Sequence, residues 1–261
     1  MSCAWVTYAN NNTFFEASLI LYKSLHLVGT TCDCVIMTPL NFQYTGDFPA
    51  TFFSIKNLII IPIHQHDQYH SSYSEERYNA CLNKLQIWRL LGYEKVCWLD
   101  SDMVVMKNID HLFDIDFGQD EILAVPGCRC NVFNNPKFDT APHKCPYVNP
   151  NNTYINAGLI LTRPDIEVFN RLIKEDYNRP LAEQDVISEF FASKINMLPP
   201  TYNYMSQLDL IHPDVDSQDV HIFHFTYDKP WQQLGRNVHQ RYYKYWRHML
   251  EEHEQSDDPV F

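Results

Sequence analysis

Val96-Cys97-Trp98-Leu99-Asp100-Ser101-Asp102-Met103-Val104-Val105-Met106 is the stretch that decides the fold of this chain. Its first four residues are apolar without alternation, which is how a strand covered on both faces reads. Two carboxylates at i and i+2 follow at once, and then a second apolar run. Charge set into a hydrophobic layer is costly unless something compensates it. Open α/β sheets bind ligands outside the carboxyl ends of their strands. An Asp-x-Asp pair at such an end can hold a hard divalent cation that keeps positions open for phosphate oxygens. The triplet by itself also reads as a helix cap or a solvated turn; the apolar runs on either side favour the metal.

Outward from this stretch, strand and helix signals alternate. Ala4-Trp5-Val6-Thr7-Tyr8 reads as a strand ending in the polar run Asn10-Asn11-Asn12. Phe14, Ala17, Leu21 and Leu25 then recur at helical spacing. Cys34 to Met37 and Leu58 to Ile63 are further strands. The spacing of Tyr78, Leu82, Leu85 and Trp88 predicts a helix over 75–92, with Gly92 just past its end. Residues 127–152, rich in Asn, Pro and Cys, break the rhythm and read as an inserted loop. A strand from Tyr154 to Leu161, helices from Asp165 to Asp176 and from Ala182 to Phe191, and a strand from Asp219 to Phe225 follow. Tyr242, Trp246, Met249 and Leu250 mark a terminal helix, and 254–261 reads as a flexible tail. Repeated β-α-β alternation predicts an α/β fold: one Rossmann-like sheet with helices on both faces.

Composition excludes several classes. In 261 residues, 45% hydrophobic and 20% charged is globular, not disordered. Seven glycines, with no G-x-G-x-x-G and no P-loop, remove the common glycine-built phosphate sites. A net charge of −12 repels nucleic acid and requires a local device for any anionic ligand. No apolar run is long enough to span a membrane. The N-terminus lacks the pattern of a signal peptide. A cytoplasmic location is therefore expected, with the eight cysteines reduced.

Three other polar stretches carry chemistry. His224 closes the apolar run Val220 to Phe225, where a neutral imidazole can join a metal site. Lys229, five residues on, can meet phosphate as a point charge. Asn156-Ala157-Gly158 precedes an apolar strand, where small residues permit close ligand approach. Glu183-Gln184-Asp185 opens a helix, where acids also favour the macrodipole.

Together these segments resemble glycosyltransferase family 8, the retaining GT-A-fold enzymes that include glycogenin and galactinol synthase. The resemblance is carried by Lys84-Leu85-Gln86-Ile87-Trp88, Leu99-Asp100-Ser101-Asp102, Asn108-Ile109-Asp110-His111-Leu112-Phe113, Tyr154-Ile155-Asn156-Ala157-Gly158 and Ala182-Glu183-Gln184-Asp185, in order, and extends from Ala4 to Trp231. It implies a GT-A domain over 1–253 with 127–152 inserted. It implies Mn2+, or Mg2+, on Asp100, Asp102 and His224, holding the diphosphate of UDP-glucose or UDP-galactose. Tyr8, Asn10, Asn11 and Phe14 would surround uracil and ribose. Arg77 and Lys84 would face the nucleotide sugar, and Lys229 the diphosphate. Ser101, Asn156, Ala157, Glu183 and Gln184 would line the sugar, Gly158 and Asp185 would belong to the donor-binding site, and Gln184, beneath the anomeric carbon, and Glu183 would be the catalytic residues. The acceptor is a hydroxyl of a polyol, glycan or protein, with a self-glucosylating primer or a silent UDP-sugar binder as alternatives. A homodimer is left open. The family's closing motif places a Gly between the His and Lys-Pro-Trp; here Phe225-Thr226-Tyr227-Asp228 has none.

One cluster lies outside that pattern. Cys128-x-Cys130, His143 and Cys145 are residues that Zn2+ takes as ligands. Their spacing is no standard finger, and plain reduced thiols in a loop fit it as well.

Overall fold

The computed structural model describes residues 2–48, 52–53, 55–64, 81–130, 142–226, 228–232 and 240–251. Seven described strands form one sheet in the order β3-β2-β1-β4-β7-β6-β8. They are β1 (Cys3–Tyr8), β2 (Asp33–Pro39), β3 (Leu58–Ile63), β4 (Lys95–Leu99), β6 (Ile122–Pro126), β7 (Ile155–Thr162) and β8 (Ile195–Met197). β1, β2, β3 and β4 run parallel, and β7 is antiparallel to both β4 and β6. A second sheet of three strands has the order β5-β10-β9, from β5 (Met103–Val105), β9 (Tyr204–Met205) and β10 (Ile222–His224).

The crossover direction reverses between β1 and β4, which are paired neighbours with Val6 opposite Trp98. That is the topological switch point, and its crevice lies beyond Tyr8 and Leu99, at Asp100. β4 is buried along its whole length because apolar layers cover both faces. One layer contains Leu19, Ile20 and Tyr22 of helix α1 (Asn12–Leu27) with Phe223, and Tyr242 and Trp246 of helix α5 (Gln240–Glu251). The other contains Leu85 and Trp88, Val168 and Phe169 of α2 (Ile166–Leu172), and Val186 and Ile187 of α3 (Ala182–Phe190).

Local chemistry explains the helix ends. The Asn11 side chain accepts the Phe14 N–H and caps α1, so one expected uracil neighbour also starts the helix that bounds the crevice. At the other end, Gly29 at φ 81 lets its own N–H reach His26 O and the Thr30 N–H reach Leu25 O, a Schellman closure. Asp165 caps α2 by accepting from Glu167 and Val168.

Four readings are corrected. The described part of the 75–92 helix is a 3-10 helix, Leu82–Arg89, closed by the Leu90 N–H on Ile87 O instead of by Gly92. Leu82 to Trp88 are all buried, so no one-sided apolar stripe imposes the α period. The late strand is only Ile222–His224 and belongs to the second sheet. Helix α2 ends at Leu172, well short of Asp176. Cys3 and Cys32 are joined as a disulfide, which ties the start of β1 to the residue before β2, so not all eight cysteines are free thiols. The 254–261 tail lies outside the described residues. Among those residues, no helix is long and apolar enough to cross a membrane.

Candidate active site

Asp100 and Asp102 stand where β4 leaves the large sheet, and His224 is brought to them by the second sheet. β5 begins at Met103, directly after Asp102, and pairs antiparallel with β10, so that Met103 faces His224. Donor atoms of Asp100, Asp102 and His224 all lie within 4.8 Å of one another. His224 Nε2 is 3.2 Å from Asp102 Oδ1 and 3.8 Å from Asp100 Oδ2.

A chain of hydrogen bonds fixes which way these groups point, and backbone N–H groups anchor it. The Gly158 N–H donates to Asn156 Oδ1 at 3.0 Å, so that atom is an acceptor. Asn203 Nδ2 donates to the same oxygen at 2.8 Å. Asn203 Oδ1 therefore faces His224 Nδ1, 2.8 Å away, which places the ring proton on Nδ1. The lone pair of Nε2 is left toward the two carboxylates, as a metal ligand requires. The same logic orients Gln184. The Ala157 N–H donates to Gln184 Oε1 at 3.1 Å, and Asn156 Nδ2 at 3.3 Å. Gln184 Nε2 then donates to Tyr154 Oη at 2.8 Å, and Tyr154 donates to Asp185 Oδ1 at 2.7 Å.

Charge is partly offset inside this frame, where two ammonium groups face three carboxylates. The Lys84 ammonium, buried beneath the crevice, donates to Ala157 O at 2.7 Å. It lies 3.2 Å from Glu183 Oε1 and 3.3 Å from Asp100 Oδ1. Burial works against its charge, but Asp100 and Glu183 outweigh that and raise its pKa. Burial, with Asp100 nearby, pushes the Glu183 carboxyl up against the pull of Lys84. Trp98 Nε1 donates to Asp100 Oδ1 at 2.6 Å. Lys229 pairs with Asp102 and folds back on Phe225 O at 2.8 Å. Burial alone would raise the Asp102 carboxyl; the pairing with Lys229 leads the opposing pull and holds it well below the usual carboxylate range. The loop without the family's glycine is thus braced by Lys229 itself.

Most of the residues named from the sequence are brought to this one crevice, in several cases in roles other than those expected. Asn10 and Asn11 line a cavity of about 540 Å3 with Asn41 and Gln43, at the end of β1. Phe14 meets Trp231 edge to face at 5.8 Å, which brings the Lys229 segment against α1. Tyr8 and Ser101 are buried at the strand ends. The space beside Gly158 is filled by the protein: a Cβ there would lie 2.6 Å from His224 Cε1. Its small size therefore admits the histidine ring, where close ligand approach was expected. Asp185 accepts from Arg129, Tyr154 and the Leu181 N–H, and so braces the start of α3. Ala182, at φ 39, makes the sharp turn into that helix. Arg77 lies outside the described residues. Asn203, Tyr154 and Arg129 were not identified from the sequence as site residues. Asn203 is fully buried, yet as a lone Asn after Pro199-Pro200 it carries no sequence signal for its role.

The model of the family "Glycosyl transferase family 8" matches residues 6–235. The chain belongs to glycosyltransferase family 8. Among relatives, it is 28% identical over 251 residues to galactinol synthase 1 of Solanum lycopersicum, covering 91% of this chain and 76% of that one. It is 31% identical over 179 residues to galactinol synthase 6 of Arabidopsis thaliana, covering 62% of this chain and 53% of that one. The chain thus spans about half the length of several of these relatives. Among solved structures, the galactosyltransferase LgtC in complex with donor and acceptor sugar analogs superposes with a TM-score of 0.66 at 14% identity. That match covers 98% of this chain and 97% of that one. GlyE of Streptococcus pneumoniae gives 0.65 at 19%, covering 97% and 63%. The family 8 chain has the GT-A fold that these structures share.

Proposed function

We propose that this protein is a retaining hexosyltransferase that moves glucose or galactose from a UDP-sugar to a hydroxyl acceptor. The observation that carries the reading is the juxtaposition of an Asp-Asp-His donor set with an oriented glutamine amide across one strand-end crevice. Two carboxylates and an Nε2 lone pair fit Mn2+ or Mg2+ by their chemistry. Such an ion would supply charge neutralisation for a departing diphosphate. The galactinol synthase names of the relatives support a small polyol as the acceptor.

The chain's own residues do the rest. Lys229, paired with the outer oxygen of Asp102, brings a positive charge to the crevice that is suited to meet phosphate. Asn10, Asn11 and the cavity they line offer polar contacts for a nucleoside. Gln184 has both amide ends held, with one N–H left to offer a ligand. Among the described residues, Glu183 is committed to Lys84 and Asp185 to Arg129 and Tyr154, so neither is free to act as a nucleophile beside Gln184. The acceptor is therefore expected to attack on the face that the leaving group departs from, held by positioning.

The test is a screen of UDP-sugars with Mn2+ and polyol or glycan acceptors, read as UDP release together with the intact mass of the protein. UDP release that rises with added acceptor, at constant protein mass, is the expected result. A ladder of added hexoses would favour the primer reading, and binding of UDP-sugars without turnover would favour the silent binder.

Gln184→Ala separates binding from chemistry. UDP affinity should be nearly unchanged while kcat falls about 10- to 1000-fold, the range for a lost oriented polar group. Parallel loss of UDP affinity, measured by calorimetry, would place Gln184 in the nucleotide pocket instead.

A further inference from the structure

Away from the crevice, four metal-ligating side chains converge from two segments that are distant in sequence. Cys128 and Cys130 follow β6, Cys145 follows the short 3-10 helix Pro142–Lys144, and His212 closes α4 (Leu208–Ile211). Their ligand atoms all lie within 4.8 Å of one another. Cys128 Sγ is 3.2 Å and Cys145 Sγ 3.5 Å from His212 Nε2. A tetrahedral zinc with Zn–S near 2.3 Å and Zn–N near 2.05 Å has S···N edges of about 3.6 Å and S···S edges of about 3.8 Å. The cluster is thus close to the size of a zinc tetrahedron.

The surroundings suit thiolates. The Cys130 N–H points at Cys128 Sγ, 3.3 Å away, and the backbone N–H groups of Arg129 and Tyr147 face the Cys145 sulfur. The Tyr147 ring stacks on His212 at 4.8 Å and fixes its plane. Cys3 and Cys32 are bonded to each other in the same molecule, whereas Cys128, Cys130 and Cys145 are free. A disulfide among these three would strand the third thiol and leave His212 without a purpose. His143, the histidine nearest to these thiols in sequence, is exposed on the 3-10 helix and takes no part.

We propose that Cys128, Cys130, Cys145 and His212 bind one structural Zn2+ ion that pins the 127–152 insertion to the end of α4. Three soft sulfurs and one imidazole select zinc over the hard cations suited to the Asp-Asp-His set. Four protein ligands leave no position for a substrate, so the site is structural. It also reaches the crevice. Arg129, between two of the ligands, is buried against Asp185 Oδ1 at 2.8 Å, and Asp185 holds Tyr154, which holds Gln184.

The test is metal analysis of the full-length protein, purified under reducing conditions and dialysed against a weak chelator. One zinc per chain is expected. Replacement by Co2+ should give the intense visible bands and thiolate charge-transfer absorption of a tetrahedral sulfur site. Asp102→Asn should keep the zinc, which separates this site from the crevice. Cys145→Ser and His212→Ala should weaken zinc binding by at least about 100-fold, more than a lost outer-shell partner costs. Should either variant fail to fold, the wild-type zinc content and cobalt spectrum decide the matter alone. Less than about a tenth of an equivalent of zinc after loading, an octahedral cobalt spectrum, or a Cys128–Cys145 disulfide in the reduced preparation would each overturn the proposal.

Discussion

Asp102→Ala is expected to reduce UDP-sugar turnover by about 1000-fold or more while leaving the protein folded. Asp102 supplies a carboxylate that Lys229 holds ionised, and a divalent ion bound there would lose one of its two carboxylate ligands. The loss of several kcal/mol of charge stabilisation, about 4, converts to about three decades in rate. The fold should survive because Asp102 takes part in the scaffold through its backbone: its carbonyl accepts the Phe225 N–H at 2.9 Å whatever the side chain. Chelation by EDTA should produce the same loss, reversed by Mn2+. Steady-state rates and a thermal melt of the variant check both halves. Full activity in EDTA would defeat the metal-dependent reading.

Lys84→Met should cost stability rather than rate alone. The ammonium is 2% exposed and pairs with Glu183, itself 9% exposed, and with Asp100. Removing one partner of a buried ion pair leaves the other charge uncompensated, at a cost of about 3–5 kcal/mol. For a domain of this size that lowers Tm by roughly 6–20 °C, at about 2–4 °C per kcal/mol. Adding Glu183→Gln should recover a large part of the loss, because it removes the stranded charge. A melting curve of Lys84→Met that overlays the wild type would show that Glu183 and Asp100 find other compensation.

These two residues also mark how far the sequence could be read. Asp102 was legible because the Asp-x-Asp pair lies between two apolar runs, Val96 to Leu99 and Met103 to Met106, which favour a compensated charge over a solvated turn. The α3 helix was legible for a similar reason, with acids in its first turn. Lys84 was legible as a site residue only through the family pattern, since burial of its ammonium depends on Ala157 and Glu183, 73 and 99 positions away. Asn203 was not legible, because a buried amide declares its function only through the groups it joins. The fourth member of the thiol cluster was misread for the same reason: proximity in sequence favoured His143, whereas the fold delivers His212. The 3-10 pitch of Leu82–Arg89 also escaped notice, because a segment buried on every side leaves no stripe to measure.

The register between β5 and β10 has a consequence for how this molecule comes into being. Asp102 and Lys229 are 127 positions apart, and their meeting waits on a pairing that only the last third of the chain can supply. The parallel strands β1, β2, β3 and β4 all precede residue 100 and can associate while the remainder is still emerging from the ribosome. Closing so long a loop adds entropy cost slowly with length but delays the contact, since non-local pairings are the slow ones. The crevice is therefore among the last features to form. A slip of one residue in β10 would turn His224 to the opposite face of the small sheet. Any ligand that bridges the two segments would bind the finished molecule alone and so stabilise the late-arriving strand.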